Sequence, residues 1–345
     1  MPILTNSILQ RITLVMASTT LGGLEKHVTE LALGLSSRGY QVTVIADERY
    51  RDDFTNSKVN FVALDFSRSR RNPILLWQLY QAIVDSRPDV LHLHANKAAQ
   101  LFSNITKFGQ FKNLPVVGSL HSQKSNTKMF ARCDVVIAVS EIAKRAISDQ
   151  RLNVQVVLNG IEPPQILSKQ PKQPPMVLTV GRLEKVKGYD VLIKAWQDIE
   201  AELWIVGDGS LKDEYMALIE QQPHLARIKL LGYRTDINAL MHQADLFVMS
   251  SHYEGCPYVM VEALMTDTPM VSTKVGAMVD ILPEAYLANI NDSQDLHDKI
   301  KRALQQREQT QQDYAPVFAW TKQHLTFDKM LDNIIEIYQQ AYKMH

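Results

Sequence analysis

Cysteine is nearly missing from this sequence: 345 residues hold only Cys133 and Cys256. Two thiols cannot staple a chain of this length, so a reducing compartment is expected rather than a disulfide scaffold. No apolar run approaches the roughly 18 residues that would suggest a spanning helix. The opening MPILTNSILQR lacks a basic stretch followed by an apolar one, so no signal peptide is expected and the protein is placed on the cytoplasmic side. No Gly-x-Gly-x-x-Gly follows the first strand, which disfavours a dinucleotide dehydrogenase. Net charge is absent too, with 37 Lys and Arg against 37 Asp and Glu. That zero conceals an asymmetry. Residues 1–160 carry 19 basic and 12 acidic side chains, a surplus of seven that the remainder reverses. Opposite charge on two halves suggests two binding tasks, and nothing points to nucleic acid.

What is present is a soluble composition, 46% hydrophobic and 21% charged, in a chain long enough for two domains. Short β-branched runs alternate with segments of helical period. Ile12–Met16, Gln41–Ala46, Val90–His94, Pro115–Leu120 and Val135–Val139 read as strands. Leu24 to Leu35, Ile74–Asp85 and Lys97–Phe108 read as helices between them. Residues 163–175, PPQILSKQPKQPP, contain five prolines and no periodicity, and read as a stiff linker. The alternation then restarts: strands at Met176–Val180, Glu202–Val206, Ile228–Leu231, Asp245–Met249 and Pro269–Thr273, and helices at Tyr189–Gln197 and Tyr258–Met265. The Gln-rich stretch Gln305–Gln312 reads as a helix end plus surface loop, and Leu325–Tyr342 as a long amphipathic helix. The expected plan is one domain over 1–162, the linker 163–175, a second domain over 176–324, and a helix over 325–345. Both domains are α/β, with doubly wound parallel sheets, and ligands are expected in a cleft at the carboxyl ends of the strands.

Three motifs fall at such strand ends. Gly22-Gly23 separates the first strand from its helix, where close backbone approach and free N–H groups suit an anion. Gly181-Arg182, followed by Lys187-Gly188, sets two cations on a strand-to-helix loop, a fit for a leaving diphosphate. Glu254 and Glu262, eight residues apart, can each accept from a diol such as a ribose or a sugar. His92 and His94 alternate with leucine as a metal pair could, but spacing places no third ligand, so no metal is expected.

With these motifs, the chain resembles the retaining glycosyltransferase family 4, of the GT-B fold, over nearly its whole length. The likeness rests on Gly22-Gly23, Asp89-Val90-Leu91-His92-Leu93-His94, His121, Val139-Ser140 and Asn159-Gly160-Ile161-Glu162. It continues through Gly181-Arg182 with Lys187-Gly188, Val206-Gly207-Asp208-Gly209, Leu231-Gly232-Tyr233, Ala244-Asp245, Glu254 with Glu262, and Phe318-Ala319-Trp320 before the last helix. The resemblance implies a catalytic set of Arg182, Lys187, Glu254 and His121. Arg182 and Lys187 hold the diphosphate, Glu254 the donor sugar and Glu262 the ribose. His121 lies beside the sugar, Gly23 lends an N–H, and Leu231, Gly232 and Tyr233 lie by the base. Gly22, Gly181, Gly207, Gly255, Cys256, Pro257, Tyr258 and Val259 complete the donor surroundings. The resemblance also makes 1–162 the acceptor domain, with Glu25, His94, Lys97 and Lys124 on the acceptor side, 176–324 the nucleotide-sugar domain, and 325–345 a helix returning to the first domain. Asp267, Ala277 and Asp280 depart from the family, where Gly, Gly and Glu are usual. Asp-x-Asp, the metal-holding motif of the other main glycosyltransferase fold, does not occur, so neither cofactor nor essential metal is expected.

The function expected is transfer from a nucleotide diphosphate sugar, with UDP favoured, to a cell-envelope glycan or glycolipid such as lipopolysaccharide. The alternatives are a sugar-nucleotide 2-epimerase of the same fold and a non-catalytic sugar-nucleotide-binding subunit. Val90 to Cys133 contains no acid but carries Lys97, Lys107, Lys112, Lys124, Lys128 and Arg132. With Arg68, Arg70 and Arg71 it forms an expected peripheral contact for an anionic membrane.

Overall fold

The computed structural model describes every residue except 1–8, 21, 110, 123–125, 148, 150, 168–173 and 222–226, and the side chain of Phe108. Two compact units are present: residues up to Val157 together with Met330–His345, and Leu158–Lys329. No helix among the described residues is long and apolar enough to cross a membrane.

The first unit follows the order β1 (Arg11–Met16), α1 (Gly23–Ser37), β2 (Gln41–Ala46), β3 (Asn60–Ala63), α2 (Pro73–Ser86), β4 (Val90–His94), α3 (Ala95–Ile105), β5 (Val116–Leu120), β6 (Val135–Ala138), α4 (Glu141–Arg145) and β7 (Val154–Val156). Its sheet runs β3-β2-β1-β4-β5-β6-β7, parallel throughout, with Val15 paired to Ile45 on one side and Leu93 on the other. The central strands are buried residue after residue rather than on alternate positions, because helices cover both faces. α1 turns Val28, Leu31, Ala32 and Leu35 inward. α2 starts where the Asn72 side chain accepts from the Leu75 N–H at 3.0 Å and Pro73 takes the first helical position. Phe66, Leu79, Ile83, Phe102 and Phe130 pack in one cluster beneath it.

The second unit contains β8 (Met176–Val180), α5 (Tyr189–Ala195), β9 (Glu202–Val206), α6 (Lys212–Glu220), β10 (Ile228–Leu230), α7 (Ile237–Gln243), β11 (Leu246–Met249), α8 (Tyr258–Met265), β12 (Met270–Thr273), α9 (Met278–Ile281), β13 (Leu287–Ala288), α10 (Ser293–Gln305) and α11 (Arg307–His324). Its sheet, β10-β9-β8-β11-β12-β13, is again parallel. Residues Asn159 to Leu167 already belong to this unit. Ile161 bridges Thr326, and the Gln165 carbonyl accepts from Asn238 and from His242. The expectation of a surface loop at Gln305–Gln312 is corrected. Arg307–His324 is one helix, held by buried Thr310, Tyr314, Phe318 and Thr321, with the Tyr314 hydroxyl donating to the Met270 carbonyl at 2.5 Å. Half of that inward stripe is threonine, so apolar periodicity does not reveal it.

The last helix, α12 (Phe327–Lys343), buries Met330, Leu331, Ile334, Ile337, Tyr338 and Ala341 along one stripe. From Met330 onward it belongs to the first unit. There the Tyr338 hydroxyl lies 2.6 Å from His92 Nδ1, while His92 Nε2 lies 2.7 Å from the Ser119 hydroxyl. All three groups are buried. Tyr338→Phe leaves a buried imidazole nitrogen without its partner, and is expected to lower the stability of the first unit by about 1–3 kcal/mol. Hydrogen exchange of the β4 amides reads that unit separately from the second; unchanged protection would show that the hydroxyl contributes nothing.

Candidate functional site

In each sheet the strand order reverses beside the first strand of the unit, between β1 and β4 and between β8 and β11. The crevice outside the carboxyl ends at such a point is the standard ligand position of open α/β sheets. The expected site residues gather at these two places, one set in each unit.

In the first unit the loop after β1 is tied down from several sides. The Ser18 hydroxyl donates to the Glu25 carboxylate, the Thr20 hydroxyl reaches it at 3.4 Å, and the Arg49 guanidinium donates to the Thr19 carbonyl at 2.5 Å. Gly22 precedes the helix and Gly23 opens it, so the first N–H groups of α1 are presented at this edge. His94 is the last residue of β4 and His121 follows β5. Ala95, immediately after His94, sits at a left-handed φ of 65°, a conformation that costs a non-glycine residue about 1 kcal/mol or more. His94 Nδ1 and His121 Nε2 are 3.2 Å apart. Burial, then repulsion from His92, His121 and His27, holds His94 well below the ordinary imidazole value. Burial, then His27 and His92, does the same for His121. Both rings are therefore neutral at pH 7.

In the second unit Gly181 follows β8, and the loop ends in a short helical turn over Lys185–Lys187 and a left-handed Gly188. Lys187 Nζ meets Glu254 Oε1 at 2.6 Å, with side-chain exposures of 19% and 12%. Ser251 donates to the same oxygen at 2.8 Å. The two loops carrying this pair are stitched together: the Ser250 hydroxyl donates to the Lys187 carbonyl at 2.9 Å, and the His252 N–H to the Val186 carbonyl at 2.9 Å. Arg182 is exposed, and its guanidinium has no ion-pair partner among the described residues. Beyond Glu254, Gly255 accepts from the Ala277 N–H at 2.7 Å, and the Cys256 carbonyl accepts from Asn159 at 2.6 Å. Cys256 itself is buried, which pushes its thiol up to about 12. Pro257 and Tyr258 then start α8, where Val259 and Glu262 are half-buried. Gly207 donates to the Gly232 carbonyl at 2.9 Å, aligning Leu231, Gly232 and Tyr233 beside the β8 loop. Tyr233 stands 78% exposed, a flat face open to a ring.

The second-unit set is thus brought together as one edge of loops. On the first unit the expected acceptor residues are less available. Glu25 is buried and engaged by the β1–α1 loop. Lys97 donates to the Phe66 carbonyl, and its burial, then Arg70, lowers its pKa. Lys124 lies outside the described residues. His92, weighed with His94 as a metal pair and not expected to be one, packs in the core with both nitrogens bonded, to Tyr338 and Ser119. His27 joins His94 and His121 instead. The signal for it was available, since His27 lies one helical turn past Gly23. Ser251, which fixes Glu254, carried no such signal; Asn159, which fixes the loop before α8, stood in a family motif but with no role read for it.

Two family models match the chain in succession: Glycosyltransferase Family 4 over residues 21–164 and Glycosyl transferases group 1 over residues 165–315. LpsE of Rhizobium meliloti, a lipopolysaccharide core biosynthesis glycosyltransferase, is 25% identical over 73% of this chain and 76% of its own length. An uncharacterised glycosyltransferase of Methanocaldococcus jannaschii is 27% identical over 55% of this chain and 56% of its own. The crystal structure of HepE of Anabaena in complex with UDP-glucose superposes with a TM-score of 0.79 at 20% identity, covering 95% of this chain and 99% of that one. At that identity the likeness is one of fold.

Gly188 and Gly232 allow a direct test of the loop packing. Both are left-handed, at φ 62° and 67°, but a Cβ on Gly188 would strike the Ser250 carbonyl oxygen while one on Gly232 meets nothing within 4 Å. Gly232→Ala is expected to cost about 1–2 kcal/mol, the price of the backbone alone. Gly188→Ala is expected to cost distinctly more. Equal losses in chemical denaturation would mean that the Lys187 and Ser250 loops do not approach as described.

Proposed function

We propose that this chain, a glycosyltransferase of the family 4 type with the GT-B fold, moves a hexosyl group from a nucleoside diphosphate sugar to a cell-envelope glycan or glycolipid, with retention of configuration and without an essential metal. A UDP-sugar is the favoured donor, in keeping with the UDP-glucose held by HepE. An envelope acceptor is in keeping with LpsE being a lipopolysaccharide core biosynthesis glycosyltransferase.

The observation that carries this reading is the Lys187–Glu254 pair, on a loop that also carries Arg182, exposed and without an ion-pair partner among the described residues. In the reaction the bond from the anomeric carbon to the diphosphate oxygen breaks, and the diphosphate gains negative charge. Arg182 and Lys187 supply two cations fixed before that charge develops. The N–H groups opening α8 add a third source of positive potential. Phosphate oxygens at Lys187 take over part of the ammonium, so Glu254 can accept from sugar hydroxyls while Glu262 accepts from the ribose. Retention follows from the family resemblance. The leaving phosphate oxygen takes the acceptor hydroxyl's proton on the same face on which the new carbon–oxygen bond forms. The protein's contribution is then positioning and charge stabilisation.

The acceptor side is proposed to rest against the cytoplasmic face of an anionic membrane. Arg68 does not serve this contact, since it pairs with Asp65 at 2.9 Å. Arg70 and Arg71 are exposed at the start of α2, followed on that helix by Ile74 and Trp77 at 55% and 63% exposure. Two cations beside an exposed tryptophan suit a headgroup boundary.

Arg182→Ala is expected to lower kcat by roughly 10²–10³ in a UDP-sugar transfer assay, the cost of one transition-state charge contact. Turnover near the wild-type rate would remove Arg182 from the clamp. The same assay is expected to proceed in EDTA; loss there with rescue by Mg²⁺ or Mn²⁺ would overturn the metal-independent reading. For the membrane, flotation with vesicles rich in anionic lipid is expected at low salt and to fall steeply towards about 0.15 M. Arg70→Ser, Arg71→Ser and Trp77→Ser together are expected to weaken it while leaving UDP binding intact. A wild-type chain that ignores such vesicles refutes the contact.

A further inference from the structure

Three imidazoles converge at the carboxyl edge of the first sheet. His27 comes from the first turns of α1, His94 from the end of β4, and His121 from the residue after β5. One ring nitrogen from each lies within 4.8 Å of the others. The His27 ring meets that of His121 edge-on at a centroid distance of 4.9 Å and that of His94 at 5.7 Å. His94 and His27 are only 1% and 4% exposed, while His121 keeps partial contact with solvent. His94 Nε2 is buried without a hydrogen-bond partner among the described residues. These rings come from three separate elements, on a backbone strained at Ala95 beside them, which a surface cluster of histidines would not require.

A tetrahedral dication with metal–nitrogen bonds of about 2.0–2.1 Å holds its ligand atoms about 3.3 Å apart. His94 Nδ1 and His121 Nε2 already stand at 3.2 Å, and the three rings offer one nitrogen each within 4.8 Å of one another. Three nitrogen ligands with one open position suit a borderline ion such as Zn²⁺ or Co²⁺ and not Mg²⁺ or Ca²⁺, which demand oxygen. Glu25, the nearest carboxylate along α1, is engaged by Ser18.

We propose that His27, His94 and His121 form a capture site for a borderline transition-metal dication, and that occupancy inhibits sugar transfer by taking His121 away from the donor sugar. The inhibition rests on the function proposed above; the site itself does not. The clamp in the second unit needs no such ion, so the metal acts as an inhibitor and not as a cofactor.

The test uses the untagged full chain, stripped with EDTA, dialysed and free of nucleotide. Titration with Co²⁺ is expected to give one equivalent of a strong visible absorption typical of four-coordination, displaced by Zn²⁺ and untouched by Mg²⁺. His27→Ala and, as a milder change, His27→Gln are each expected to weaken Co²⁺ binding at least tenfold. Cooperative unfolding of each variant shows that it is folded, and the milder His27→Gln keeps the test open should His27→Ala fail to fold. In the transfer assay, stoichiometric Zn²⁺ is expected to inhibit the wild type, and the His27 variants are expected to resist it. A wild-type chain with no Co²⁺ absorption overturns the proposal, as does a folded His27→Ala protein that binds Co²⁺ as tightly as wild type. Active enzyme that binds Co²⁺ through His27 but ignores Zn²⁺ overturns the inhibition. A chain that binds Co²⁺ in this way but transfers no sugar under any condition keeps the site and sinks the transferase reading instead.

Discussion

Everything functional in this molecule depends on one constraint of parallel pairing. A strand can lie parallel to its neighbour only if the chain crosses back over the sheet between them, so each strand-to-helix loop emerges at the same edge. In both units all the strand pairs are parallel. Gly22, His94 and His121 are therefore delivered to one edge of the first sheet, and Gly181, Lys187, Gly207, Gly232 and Glu254 to one edge of the second. Residues far apart in sequence become neighbours without any long-range interaction of their own having to place them.

Within the second edge the Lys187–Glu254 pair shows how such a place is used. Partly burying an ammonium and a carboxylate removes hydration that their attraction restores only with good geometry and additional hydrogen bonds. Ser251 supplies one of those bonds, and the Ser250, His252 and Thr273 contacts fix the loops that hold them. Lys187 is thereby held in one place by its neighbours, and in the function proposed above little reorganisation then accompanies the appearance of charge.

Much of this was legible in the sequence because it is periodic or local. The β-branched runs of β1, β2, β4, β8 and β9 and the apolar stripe of α12 follow from spacing alone. The Gly-Arg and Lys-Gly loop and the two glutamates are recognisable as short motifs. β13 escaped because it has two residues, and β3 and β7 because they are half-buried strands at the sheet edges. α11 escaped because threonines share its inward stripe. α6 and α7 were passed over as short helices, and α10 was passed over although Leu296, Ile300 and Ala303 keep a helical spacing. Pairings between distant segments were the least legible. Nothing near His92 announces that Tyr338, 246 residues on, will claim its nitrogen.

That last bond has a consequence for the birth of the protein. The first unit contains Met330–His345, so the ribosome cannot supply its final helix until all of Leu158–Lys329 has been made. At about 5–20 residues per second that interval is on the order of ten to thirty seconds. Throughout it, the sheet that ends in His94 lacks the cover of Ile334, Ile337 and Tyr338. The second unit has its complete sequence at Lys329, before the first unit has Met330–His345, so it can close first although it is encoded second. The nascent first unit must wait with an apolar face open, which makes it the natural client of a chaperone during synthesis.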